Sequence, residues 1–348
     1  MPPTTGHLQL IQFASELAER VVVLLTTQPQ EPFVKERVKA VRQALLAPTV
    51  MHRVAVRHYG RPMDPDPDSE GFRDRWAGIM IGAGAEPGDL LVGSELYGKW
   101  LAEMTGMVWM PYDVNREINS VKATNVREHP YAFWNDILPE FRPHLQTRVT
   151  IFGAESTGKT TLARQIKNRT YANNWTFLPE YARPYLENTV NEISVRSMMD
   201  IWKGQAALQR QQFVESPVVV QDTDLFSTLG YWKFWAGRVE SPFVKLPQEE
   251  RLPLFSVPDQ LQADAKELAS DLYIVTLSDV DFVEDPLRYG GDHREISDGW
   301  WLNWLTFFKL PFKVLRCKPE DRVEEVWNMI DVVAREKQGQ MAYDRHGF

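Results

Sequence analysis

The stretch Arg148-Val149-Thr150-Ile151-Phe152-Gly153-Ala154-Glu155-Ser156-Thr157-Gly158-Lys159-Thr160 decides the fold. Its first five residues have the make-up of a buried parallel strand. The next eight satisfy G-x-x-x-x-G-K-[ST] in full, and Thr161 to Lys167 continues as a helix. Strand, glycine-bearing loop and helix in that order make a phosphate cradle. Gly153 and Gly158 let the backbone curl so that successive N–H groups face inward. The start of the helix adds positive potential. Glu155, Ser156, Thr157 and Thr161 complete the shell around the nucleotide. Lys159 sets an ammonium against the β- and γ-phosphates, and the Thr160 hydroxyl suits Mg2+. The expected ligands are ATP and Mg2+.

Moving toward the C-terminus, Val218-Val219-Val220-Gln221-Asp222-Thr223-Asp224 is an apolar strand ending in carboxylates. That arrangement brings Asp222 beside the cradle, where open α/β sheets bind ligands, and gives it a role on Mg2+. Asp224 has two readings, contact with the phosphate acceptor or capping of the helix that follows. Glu180-Tyr181-Ala182-Arg183 follows a short strand at Trp175 to Leu178. Glu180 suits a general base and Arg183 a charge holder near the acceptor; the alternative is a surface ion pair. Asp285 to Arg294 sets Arg288 and Arg294 around Gly290-Gly291, the pattern of a lid that carries cations to a triphosphate; the alternative is a loop with solvated arginines. Lys159, Glu180, Asp222, Arg288 and Arg294 are the catalytic candidates of this half. Tyr181, Trp202, Tyr231 and Trp232 are candidate stacking partners for an acceptor ring, with core packing as the alternative.

Toward the N-terminus, a second block alternates strands and helices. Leu8 to Leu17 and Phe33 to Leu46 have helical spacing, and Arg20 to Leu25, Val50 to Val56, Asp89 to Val92 and Val108 to Tyr112 read as strands. Such alternation predicts parallel sheets with helices on both faces. Pro139 and Pro143 mark the boundary, giving domains over 1–140 and 147–340. Pro62 to Asp68 and Phe243 to Pro258 read as irregular segments.

The 348 residues are 43% hydrophobic and 25% charged, enough apolar content for two cores. A net charge of −8 argues against broad nucleic-acid binding. A single cysteine, Cys317, excludes an intrachain disulfide and a thiolate zinc site, and it reads as a small buried filler. Without a membrane-length apolar run or a signal-peptide pattern, the expectation is a cytoplasmic protein that meets small molecules, not membranes. His52, His58, His129, His144 and His293 show no metal-ligand spacing.

Thr4-Thr5-Gly6-His7 fits the (H/T)-x-G-H motif, and Ser120-Val121-Lys122-Ala123-Thr124-Asn125-Val126-Arg127 resembles the late motif of nucleotidylyltransferases. Lys122 stands where a second small hydroxyl residue is usual. Joined to a half that contains GAESTGKT, EYAR, QDTD and DPLR, this order of parts resembles the NadR-type bifunctional enzymes of NAD biosynthesis, over nearly the whole chain. The resemblance implies an N-terminal Rossmann-like nucleotidylyltransferase fold and a C-terminal P-loop kinase fold. It implies that Thr4, His7, Ser120 and Arg127 meet ATP, with His7 stabilising charge as pyrophosphate leaves. It also implies a nicotinamide riboside kinase coupled to a nicotinamide mononucleotide adenylyltransferase. The family's adenylyltransferase fold has a strand and a G-x-F-x-P-type turn before T-x-G-H. Here only Met1, Pro2 and Pro3 precede the motif, so that fold is expected to lack its first strand. A DNA-binding helix-turn-helix, carried by some members, is not expected. Two other readings keep the phosphate chemistry: a P-loop kinase for another nucleoside, and a regulatory protein that binds ATP or NAD without turnover.

Overall fold

The computed structural model describes residues 2–46, 53–62, 69–189, 194–212, 215–236, 258–280 and 297–340. The fold is α/β with parallel sheets. The chain divides into two compact units, residues 1–145 with 338–348, and residues 146–337.

The first unit contains α1 (Thr5–Leu17), β1 (Val21–Thr26), α2 (Val34–Ala44), β2 (Val54–Tyr59), α3 (Phe72–Gly82), β3 (Leu90–Gly93), α4 (Gly98–Thr105), β4 (Val108–Pro111), α5 (Ala123–Glu128) and the short α6 (Arg142–Leu145). Among the described residues the strand expected at Val50 to Val56 spans Val54 to Tyr59, because its pairing with β1 runs from Val21 opposite Val54 to Thr26 opposite Tyr59. Residues 50–52 lie outside the described residues. Among the described residues β1 pairs with β2 and β3 with β4, both in parallel. Among the described residues no strand joins the two pairs. Helix α1 touches both β1 and β3. The apolar core gathers beside the strands. Ala40, Val126, Trp134, Ile137, Phe141 and Leu145 form one cluster, and Ile11, Val41, Leu45 and Leu138 another.

The second unit runs β5 (Thr147–Gly153), α7 (Lys159–Ala172), β6 (Thr176–Leu178), α8 (Ala182–Asn188), α9 (Val195–Gln212), β7 (Val218–Asp222), α10 (Leu225–Ala236), α11 (Asp259–Glu267), β8 (Leu272–Thr276), α12 (Asp298–Phe307), β9 (Phe312–Val314) and α13 (Arg322–Gly339). Its sheet has the order β6-β7-β5-β8-β9, with every pair parallel. β5, the first strand in sequence, sits in the centre. The chain crosses to one side for β7 and to the other for β8, and crevices for ligands open at the carboxyl ends of such strands. A cluster including Phe152, Trp202, Phe226, Trp232, Tyr273, Trp301 and Leu305 packs the unit. Burying large apolar side chains at this density is the main favourable term in its folding.

Cys317 is half-buried rather than fully enclosed, and desolvation pushes its thiol pKa up. The segments 243–257 and 285–294, with Arg288, His293 and Arg294, lie outside the described residues, as do residues 63–68.

Candidate functional site

At the end of β5 the backbone does what the two glycines permit. Gly153 has φ +142° and Gly158 has φ +84°. A Cβ on Gly153 would sit 2.4 Å from the Thr276 carbonyl oxygen, so only glycine fits where the loop leaves the sheet against β8. Ser156, at φ +55°, supplies a third left-handed turn. Thr157 is fully buried; its hydroxyl lies 2.9 Å from the Ala154 carbonyl, which accepts from it, and 2.7 Å from the Thr276 hydroxyl. The loop is thus held by its own hydrogen bond and by Thr276 on β8.

Lys159 opens α7, and its Nζ donates to the Ala154 carbonyl at 2.5 Å, across the mouth of the loop. The neighbouring Thr160 makes a side-chain hydrogen bond with Asp222. Register explains that pairing: Ile151 on β5 lies opposite Asp222 on β7, so the β7 terminus stands next to the loop's entry. Asp222 is 4% exposed and its Oδ1 has no hydrogen-bond partner. Burial raises its pKa, opposed by Lys159, by the Thr160 hydrogen bond and by Arg183. A buried carboxylate with an unused oxygen beside a threonine hydroxyl is an all-oxygen donor set that suits a small hard cation such as Mg2+.

Glu180 joins the same field. Burial raises its pKa first, then the charge of Asp222, while Lys159 and Arg183 lower it. Arg183, half-buried on α8, lies 3.8 Å from Glu187 one turn on. Glu155 is drawn in by the Tyr231 hydroxyl, which donates to its Oε1 at 3.2 Å. The structure therefore gathers Lys159, Thr160, Glu180, Arg183, Asp222 and Glu155 into one electrostatic cluster. Thr161 is exposed on the first turn of α7.

Asp224 stands apart. It is 2% exposed; Oδ1 accepts from the Phe226 N–H at 2.9 Å and Oδ2 from the Tyr273 hydroxyl at 2.6 Å. This is the capping geometry, with both oxygens engaged inside the core. Burial raises its pKa to about 6. Between the two aspartates Thr223 takes φ +62°, a left-handed backbone for a β-branched residue, which turns Asp224 away from the edge where Asp222 stays. Trp202 and Trp232 are 6% and 1% exposed and belong to the core, with the Trp202 indole N–H on Asp264. They are not available as stacking walls. Tyr231 and Tyr181 remain half-buried, the first edge-on to Trp301 and the second stacked on Tyr185 over Gly204.

Two groups at the loop escape sequence reasoning. Thr276 ends β8 and holds both the Gly153 and Thr157 sides of the cradle. Arg322, the first residue of α13, reaches the Thr157 carbonyl at 3.4 Å. Neither lies in a recognisable motif, and both come from segments more than a hundred residues along the chain.

In the first unit, Thr4 caps α1 and the His7 Nδ1 turns back on it, accepting from the Thr4 N–H at 3.0 Å and lying 2.7 Å from its hydroxyl. His7 is exposed as a residue, yet its inward ring nitrogen is desolvated. The pKa falls to about 4, from burial first and with Arg37 adding. A neutral ring with Nδ1 as acceptor carries its proton on Nε2. A Cβ on Gly6 would lie 2.5 Å from Asn119 Nδ2, so this glycine lets the 119–127 segment approach the motif. Ser120 is exposed just before α5, and Arg127 sits in its last turn, 3.8 Å from Glu128. Among the described residues no cluster of three or more metal-ligating side chains occurs, and no helix is long and apolar enough to cross a membrane.

Set beside known proteins, the chain is 25% identical over 310 residues to the trifunctional NAD biosynthesis/regulator protein NadR of Salmonella typhimurium, covering 82% of this chain and 69% of that one. It is 25% identical over 323 residues to the protein of the same name from Escherichia coli K12, covering 85% and 72%. Its fold is similar to a crystal structure of NadR protein in complex with NR, with a TM-score of 0.60 at 22% identity over 97% of this chain and 93% of that one. A NadR structure in complex with NAD and AMP-PNP gives a TM-score of 0.59 at 22% identity, covering 100% and 96%. Residues 148–322, just over half of the 348, match the family model described as an AAA domain. The cradle, the Asp222 edge and Arg322 all fall inside that span, and the chain belongs to the AAA domain family.

Proposed function

We propose that the second unit phosphorylates nicotinamide riboside with ATP, giving nicotinamide mononucleotide and ADP. The observation that carries this reading is the gathering of Lys159, Thr160, Glu180 and Asp222 at the carboxyl ends of β5, β6 and β7, with one Asp222 oxygen unused. Similarity to NadR along most of the chain supplies the acceptor.

In this mechanism the loop amides and Lys159 hold the triphosphate, so that Lys159 leaves the Ala154 carbonyl for the β- and γ-phosphates. Thr160 and Asp222 would hold Mg2+, which when bound neutralises charge on the phosphates. Glu180 accepts the proton of the ribose hydroxyl as its oxygen bonds to the γ-phosphorus and the bond to ADP breaks. A carboxyl whose pKa is raised by burial and by Asp222 suits that task. Arg183 steadies the charge of the cluster, and Arg288 and Arg294 are the proposed transition-state cations.

For the first unit we propose adenylyl transfer from ATP to nicotinamide mononucleotide, giving NAD and pyrophosphate. Thr4, His7, Ser120 and Arg127 bind ATP, and the neutral His7 Nε2–H meets a phosphate oxygen. Close packing of Gly6 on Asn119, next to Ser120, supports this reading. A cytoplasmic location accords with the single cysteine.

The test is transfer of labelled phosphate from ATP to a panel of nucleosides. Label on nicotinamide riboside is the expected result. Label only on another nucleoside would replace the acceptor, and binding of ATP without transfer would make the unit a sensor. For the first unit, NAD formation from the mononucleotide is expected to vanish in His7→Ala while phosphoryl transfer stays intact.

A further inference from the structure

Arg322 is placed where a structural arginine has little reason to be. It is the first residue of α13, at the positive end of the helix dipole, where a cation is disfavoured. Its side chain is 6% exposed. Among the described residues one carboxylate pairs with it: Asp279, just after β8, accepts from Nη2 at 2.6 Å and is itself 42% exposed. Nη1 reaches the Thr157 carbonyl at 3.4 Å and lies 3.6 Å from where a Gly158 Cβ would be. Nε is buried and has no hydrogen-bond partner. Among the described residues this buried guanidinium has one half-solvated counter-ion and an unused Nε donor, an arrangement in which further negative charge nearby is favourable. What it adjoins is the loop whose expected occupant carries several negative charges.

We propose that Arg322 is a positioning residue for the nucleoside triphosphate: it braces the Thr157–Gly158 peptide from outside the loop and places positive charge behind it, while Asp279 offsets that charge. Asp279 therefore offsets part of the positive potential that the guanidinium presents through the loop to the nucleotide. This rests on the reading of the loop as a triphosphate site, and it is independent of which nucleoside accepts the phosphate.

That offset gives the two partners opposite signs. The measurement is calorimetric binding of Mg2+ and AMP-PNP to the full chain. Arg322→Gln is expected to weaken affinity about tenfold, the scale of a charge-assisted hydrogen bond, and Arg322→Lys by less. Asp279→Asn is expected to strengthen it by about two- to threefold, since a half-exposed charge is partly screened. In turnover, Arg322→Gln raises the ATP KM with little change in kcat. A plain structural brace behaves differently: Asp279→Asn then weakens binding, or Arg322→Gln lowers the melting temperature and leaves affinity at the wild-type value. Either result overturns the proposal. Transfer to nicotinamide riboside is not the readout, so an error in the acceptor leaves this outcome standing.

Discussion

The sheets of the two units differ in how they are covered. In the second, every residue of β7 and β8 is buried, and in β5 only Arg148 is not. In the first, not one residue of β1, β2, β3 or β4 is fully buried, and Val22 and Val108 are 47% and 50% exposed. Parallel strands are normally sealed on both faces by the crossover helices. The second unit obeys that rule because five strands form one sheet with β5 inside it. Among the described residues of the first unit the strands form two separate pairs, beside the helix and loop cluster around Val126, Trp134, Ile137 and Phe141. A site built on strand ends inherits the rigidity of its sheet. The Lys159–Asp222 cluster therefore stands on the firmer base, while the Thr4–His7 motif depends on a capping box and on strand-like pairing of Pro3 and Thr4 with Ile137 and Leu138.

The largest expected effect separates the two chemistries. Lys159→Ala should cut phosphoryl transfer by about a thousandfold or more, the scale of removing a charge from a preorganised site. Its far-UV circular dichroism should stay that of the wild type; near-normal turnover would remove the loop from the mechanism. Next, Gly153→Ala should destabilise the second unit by about 3 kcal/mol, read from urea midpoints, because it meets both a forbidden φ and the Thr276 carbonyl. A matched pair then measures the contrast in cover. Ile151→Ala, at a position with no exposed surface, should cost about 2–4 kcal/mol. Val22→Ala should stay within about 0.5 kcal/mol. Equal costs would mean that the open strands of the first unit are as well packed as those of the second. The smallest effect is a pH dependence. Burial raises Asp224 from 3.8 to about 6, so the folded chain keeps a proton that the unfolded chain releases across that window. Its contribution thus makes stability fall as pH rises from about 4 to about 6. Asp224→Asn lacks that slope, so its deficit against the wild type should be widest near pH ~4 and shrink by pH ~7 in denaturant melts.

The phosphate loop is legible in the sequence because its chemistry is local: eight consecutive residues set the turns, the charge and the hydroxyl. Asp222 is legible because strand period and strand end coincide there. Asp224 is ambiguous for a physical reason. A carboxylate two residues past a strand serves equally as cap or ligand, and the partner that settles it, Tyr273, lies 49 residues on. Trp202 and Trp232 look like ring partners until their burial is known. Helix α3 carries no clear stripe, with Phe72, Ala77 and Met80 buried but Ile81 59% exposed, so periodicity passes over it. Arg322 is invisible from sequence, since an arginine opening a helix reads as solvated until the fold brings it under Thr157, 165 residues earlier.

Thr276 has one more implication. With its carbonyl against Gly153 and its hydroxyl against Thr157, a single side chain and its peptide clamp the loop at entry and crown before any guest arrives. A receptacle already set surrenders little freedom on loading, so more of each phosphate contact survives as affinity. The same clamp ties the loop to the end of β8.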